Sequence, residues 1–127
     1  MSEDKKIILL VEDDSLLRDL CSRKLRGEGL EVLEATSGEQ ALDFLNNQKV
    51  DLILLDIILP GIDGFEVLKE IRNHSNDEVK LAPVIMLSNL GQEEDIERAM
   101  ALGAKDYLVK AYFSTSEIVL KVKELLA

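Results

Sequence analysis

The 127-residue chain sets 15 Lys and Arg against 25 Asp and Glu, a formal net charge of -10, with 46% hydrophobic residues and one cysteine. That length fits one domain; the acidic balance repels a phosphate backbone and excludes direct nucleic-acid binding, and no apolar run approaches the ~20 residues of a bilayer-spanning helix. Met1 to Lys6 has neither the apolar core nor the cleavage site of a signal peptide, and Cys21 can form no internal disulfide, so a reducing, cytoplasmic setting with no membrane partner is expected.

The first strand is expected over Ile7 to Val11, an unbroken apolar run of the kind needed where both faces of a parallel sheet are covered. Asp14 then caps a helix whose inward face is Leu17, Leu20, Cys21 and Leu25, ended by Gly27 and Gly29. Leu30 to Ala35 mixes Val32 and Leu33 with Glu31 and Glu34, which suits an edge strand. Ser37 with Gln40 marks the second helix, and Leu52 to Leu55 a second central strand. Asp63 with Glu66 opens the third helix, which leaves through the polar stretch Asn73 to Asp77, where His74 reads as a solvated loop residue. Pro83 to Leu87 is the fourth strand. The fourth helix, roughly Glu93 to Leu102, offers only Ile96, Ala99, Met100 and Leu102 to a core, so it is expected to be the most easily moved element. Lys105 to Val109 forms the other edge strand, and Ser114 with Glu117 opens a fifth helix that reaches Leu125 and Leu126.

Five strand and helix pairs in one domain, spanning residues 1–127 with no output domain, imply a doubly wound α/β fold. Right-handed crossovers favour a five-stranded parallel sheet in the order 2-1-3-4-5 with helices on both faces. Strands one and three are then neighbours whose connections leave in opposite directions, which opens a crevice at their carboxyl ends. Glu12, Asp13 and Asp14 follow strand one and Asp56 follows strand three, so up to four carboxylates converge there. A capping loop alone would explain the first three, but not Asp56 at the end of a buried strand. Crowded like charges call for a cation, and oxygen donors without His or Cys favour Mg²⁺ over Zn²⁺. Ser88 and Lys110, at the ends of strands four and five, add a hydroxyl and a compact positive charge at the same rim. A nucleophilic carboxylate, a metal site, a donor and a cation are the equipment of phosphoryl transfer to Asp56.

Ile8-Leu9-Leu10-Val11-Glu12-Asp13-Asp14, Asp56-Ile57-Ile58-Leu59-Pro60-Gly61-Ile62-Asp63-Gly64 and Gly103-Ala104-Lys105-Asp106-Tyr107-Leu108-Val109-Lys110 closely resemble the receiver domains of bacterial response regulators. The resemblance spans almost the whole chain. It implies that Asp56 is the phosphoacceptor, that Glu12, Asp13, Asp56 and the backbone carbonyl of Ile58 hold Mg²⁺, and that Ser88 and Lys110 contact the phosphoryl group. It further implies a switch through Ser88 and Tyr107 that changes the face made by the fourth helix, fifth strand and fifth helix, where a downstream protein docks. The donor would be a sensor histidine kinase or a histidine phosphotransfer protein, and the chain a phosphoacceptor rather than an enzyme.

Four positions bear on how this chain differs from the family it resembles. Ala111 stands where proline usually follows the lysine, so a trans Lys110-Ala111 bond is expected, since a cis bond before a non-proline residue costs about 3 kcal/mol. Asn89 replaces a usually small residue and is expected to cover part of the acceptor site. Ile58 and Leu90 occupy positions that tune phosphate loss, and neither side chain can orient a water, so a long-lived phosphoaspartate is expected. Three alternatives remain. A haloacid dehalogenase-type phosphatase needs a second acid two residues after the nucleophile, where Ile58 stands; a flavin or nucleotide binder needs a phosphate-cradling loop after strand one rather than Glu12-Asp13-Asp14; and a degenerate receiver would serve as an interaction module without phosphorylation, a reading that rests on Ala111 and Asn89.

Overall fold

Alternating apolar and amphipathic stretches resolve, in the computed structural model, into β1 (Ile7–Val11), α1 (Ser15–Gly27), β2 (Glu31–Ala35), α2 (Gly38–Asn47), β3 (Leu52–Leu55), α3 (Gly64–Arg72), a single helical turn (Asp77–Lys80), β4 (Val84–Ser88), α4 (Glu93–Ala101), β5 (Asp106–Val109), a 3-10 turn (Lys110–Tyr112) and α5 (Thr115–Leu126). The structure describes residues 5–127, so most of the segment read as lacking a signal peptide lies outside the described residues. Among the described residues no helix is long and apolar enough to cross a membrane.

The strands form one parallel sheet in the order β2-β1-β3-β4-β5, with β2 and β5 at the edges as expected. The two-residue side-chain period of a strand divides the apolar runs between two cores. Leu9, Val11, Ile53, Leu55, Val84 and Met86 face α2, α3 and α4, while Ile8, Leu10, Leu52, Leu54, Ile85 and Leu87 face α1 and α5. Residues of β1, β3 and β4 therefore have no solvent-facing side, which is why their sequences do not alternate.

Local chemistry sets the helix starts. Asp14 accepts from the Leu16 and Leu17 amides, Ser37 from Gln40 and Asp63 from Glu66, and Ser114 with Glu117 closes a reciprocal capping box. Gln40 reaches back to the Thr36 amide rather than to Ser37.

Several expectations need correction. Leu20 is 45% and Met100 44% exposed, so neither faces the core. Successive helical residues lie about 100° apart, and in α1 the buried face centres on Cys21, Ser22 and Leu25. Ser22 is drawn inward because its hydroxyl donates to Glu34; in α4 the small Ala99 takes the inward position. Leu30, Pro83 and Lys105 precede their strands, and Ser88 is the last residue of β4 rather than the residue after it. The stretch beyond α3 is not free loop, since it contains the turn Asp77–Lys80. His74 is half-buried there: Nδ1 accepts from the Asn76 amide at 3.0 Å, which leaves the neutral ring's proton on Nε2 to donate to Asn46 Oδ1 at 2.7 Å.

Candidate functional site

The strand ladder runs one residue past the apolar segments and carries two carboxylates with it. The Glu12 amide donates to the Ala35 carbonyl at 3.0 Å, and the Asp56 amide to the Val11 carbonyl at 3.1 Å. Both side chains thus leave from hydrogen-bonded backbone, and both are buried, Glu12 to 1% and Asp56 to 5% exposure. Behind Asp56, the Gly64 amide donates to the Ile57 carbonyl at 2.8 Å. A Cβ at Gly64 would stand 2.3 Å from the Asp56 carbonyl oxygen, so only glycine lets α3 start against this peptide.

Lys110 opens the 3-10 turn after β5, and its peptide bond to Ala111 is trans. The side chain still reaches the carboxylates, with Nζ 2.8 Å from Asp56 Oδ2 and 2.7 Å from Glu12 Oε1. Burial alone would lower the ammonium's pKa, but its bonds to Asp56 and Glu12 outweigh that and raise it. Glu12 is pushed up by burial, which Lys110 opposes and the nearby Asp56 charge reinforces. Asp56 Oδ1 also accepts from the Ile58 amide at 3.3 Å, and Glu12 Oε2 from the Asp14 amide at 3.1 Å.

Carboxylate oxygens of Glu12, Asp13 and Asp56 lie within 4.8 Å of one another. Asp14, the fourth expected carboxylate, instead spends its side chain on the α1 cap. Glu12 Oε1 is buried, and the Lys110 ammonium at 2.7 Å is its charged partner. Three converging carboxylates against a single ammonium, an exposed Asp13 and oxygen-only chemistry fit a hard divalent cation such as Mg²⁺.

Ser88 is fully buried, and its hydroxyl accepts from the Leu90 amide at 3.3 Å. Tyr107 points inward and donates its hydroxyl to the Leu90 carbonyl. Burial raises the Tyr107 pKa, the Asp95 carboxylate adds to it, and the Ser88 hydroxyl pulls the other way. Ser88 and Tyr107 therefore meet on the two sides of one residue's peptide groups. Asn89, Ile58 and Ala111 are exposed around the pocket, with Ile58 at 59%. The hydroxyl of Ser88 is engaged by the loop, whereas Lys110 is engaged by the carboxylates.

Sequence reasoning missed Arg18 and Glu34. Arg18 Nη1 donates to the main-chain carbonyls of Glu12 at 2.9 Å and Asp13 at 3.4 Å, and its Nε lies 3.3 Å from Glu34 Oε1. The available signal was an arginine one turn beyond the Asp14 cap with an acid in the neighbouring edge strand.

Comparisons with known proteins agree on one family. The family model described as the response regulator receiver domain matches residues 8–123. Over 119 residues, 94% of this chain and 50% of the other, the sequence is 37% identical to the response regulator SaeR of Staphylococcus aureus. The chain spans about half the length of the curated relatives it matches. Among solved structures, the receiver domain of the Francisella response regulator 1452 superposes with a TM-score of 0.85 at 30% identity, covering 95% of this chain and 96% of that one. A response regulator structure from Chloroflexus aurantiacus gives 0.87 at 36% identity, covering 97% and 98%.

Proposed function

The chain belongs to the response regulator receiver domain family, and from that premise we propose that it takes a phosphoryl group onto Asp56 from a phosphohistidine donor in a Mg²⁺-dependent reaction. A receiver domain is a phosphoacceptor module rather than a turnover enzyme. The observation that carries the reading is Lys110 Nζ, seated 2.8 Å from Asp56 and 2.7 Å from Glu12 at the carboxyl ends of neighbouring strands.

A carboxylate oxygen of Asp56 forms the new P–O bond while the donor's P–N bond breaks and its imidazole nitrogen leaves with the electron pair. Glu12, Asp13, Asp56 and the Ile58 carbonyl would hold the cation, which supplies charge neutralisation for the phosphoryl oxygens. Lys110 changes partners, from the Asp56 carboxylate to the phosphoryl group. Ser88 gives up the Leu90 amide to donate to a phosphoryl oxygen, and the loop whose carbonyl holds Tyr107 shifts with it. The readout is the face formed by α4, β5 and α5, where a downstream protein docks. With Ile58 and Leu90 unable to direct a water, the phosphoaspartate is long-lived.

Mass spectrometry after acetyl phosphate treatment, with and without Mg²⁺, tests the assignment on the wild type and Asp56→Asn. The expected result is one added phosphate on the wild type with Mg²⁺ and none on the variant. A phosphate that persists in Asp56→Asn overturns it, and a wild type that takes none leaves the degenerate receiver in its place.

A further inference from the structure

The acidic loop faces a difficulty that Lys110 does not solve. Glu12 and Asp13 must present their carboxylates to one place although like charges repel, and the ladder ends at the Glu12 amide, so no ladder bond fixes their carbonyls. Behind the loop, the Arg18 guanidinium donates to the carbonyl oxygens of these same two residues at 2.9 and 3.4 Å. Its side chain is only 19% exposed, and Nε lies 3.3 Å from Glu34 Oε1. Glu34 is itself held through Oε2, by the buried Ser22 hydroxyl at 3.1 Å and by Arg26 at 3.2 Å. A planar fork bound to two carbonyls on one side and a fixed carboxylate on the other has little freedom to rotate.

We propose that Arg18, clamped by Glu34, is a positioning residue that fixes the Glu12 and Asp13 peptide planes and so pre-orients their carboxylates for the divalent cation. The inference rests on the acidic-pocket reading above. Groups behind metal ligands typically alter affinity by about 10- to 100-fold.

The sign of the effect separates positioning from simple electrostatics. Removing a positive charge near a cation site should tighten cation binding, whereas removing a positioning group should weaken it. Isothermal titration of the full chain with Mg²⁺ is therefore compared for the wild type, Arg18→Gln, Arg18→Lys and Glu34→Gln, with Arg23→Gln as a control that breaks the exposed Asp19–Arg23 pair on the same helix. Expected are a rise of about tenfold in the Mg²⁺ Kd for Arg18→Gln, a similar rise for Arg18→Lys, which keeps the charge and loses the fork, and a smaller one for Glu34→Gln. Arg23→Gln should stay within about twofold of the wild-type Kd.

An unchanged or lower Kd in Arg18→Gln overturns the proposal. So does a lower phosphorylation rate at saturating Mg²⁺ with no change in Kd, which is the signature of a merely structural role. Glu34→Gln keeps the test alive if the arginine variants do not fold, because an unchanged Kd there also overturns the clamp. Failure of the underlying reading would be visible in other samples, namely a wild type without Mg²⁺-dependent phosphate or an Asp56→Asn that accepts it.

Discussion

Lys110 neutralises two buried carboxylates at once, so removing it leaves Glu12 and Asp56 facing each other with no cation. Breaking a buried pair from one side is far costlier than breaking a surface pair; discounted for the lysine's partial exposure, Lys110→Ala should lose about 2 kcal/mol. Mg²⁺ bound at the same acidic cluster, as proposed above, should restore most of that loss. Urea unfolding with and without Mg²⁺ measures both effects, and equal losses in the two conditions would count against a shared site. Cys21 is a quieter residue: burial, aided by the Glu12 charge and opposed by Lys110, pushes its thiol up to about 11. Its folded pKa is raised, so the native state retains a proton that the unfolded chain releases first. Stability is therefore unaffected by this group below about pH 9 and should fall as pH climbs from about 9 to 11. At pH 8 the native thiol should resist a disulfide reagent and react only after unfolding; rapid labelling of the folded protein would contradict this.

Elements differ in how firmly their residues hold them. α3 buries Phe65, Val67, Leu68 and Ile71 and starts against the Asp56 peptide through Gly64, whereas α4 fully buries only Ala99 and lacks a side-chain cap at Gln92. Gly64→Ala should push α3 away from Asp56, cost more than about 2 kcal/mol and slow phosphorylation together; a variant as stable as the wild type would contradict the close fit. Gln92 already has extended backbone suited to a cap, so Gln92→Ser should stabilise α4 by about 0.5–1 kcal/mol. Hydrogen exchange should show α4 amides opening before those of α3, with the difference reduced in Gln92→Ser. Identical protection in the two helices would remove α4 as the weakly held element. These contrasts also show what the chain makes legible. Caps such as Ser114 with Glu117 and the apolar run of β3 depend on neighbours in sequence, so they can be read directly. Which residue faces inward on a helix depends on what lies opposite: on α1 the buried Ser22 meets Glu34, while Leu20 is left exposed. Arg18 left little trace because its partners at the loop are main-chain carbonyls, which every residue possesses.

Across the whole molecule, the parallel sheet gathers Glu12, Asp13, Asp56 and Lys110 at the carboxyl ends of its strands, on a chain with a net charge of -10. The strand order decides this, since β1 and β3 are adjacent in the sheet although 40 residues separate the end of one from the start of the other. The excess of acid makes any cation mildly stabilising through screening, so a gain on adding Mg²⁺ does not by itself identify a site. Asp13 separates the two effects, because it is an exposed member of the cluster with no helix cap to keep. Without Mg²⁺, Asp13→Asn relieves repulsion and should raise stability slightly. With Mg²⁺ at ten times its Kd, the wild type should gain about 1.4 kcal/mol from binding to the native state alone, and the variant should gain only what NaCl of equal ionic strength provides. The two stability curves should therefore cross as Mg²⁺ is added at constant ionic strength. Parallel curves would mean that the charge of the whole surface, rather than the cluster at the strand ends, is what the cation meets.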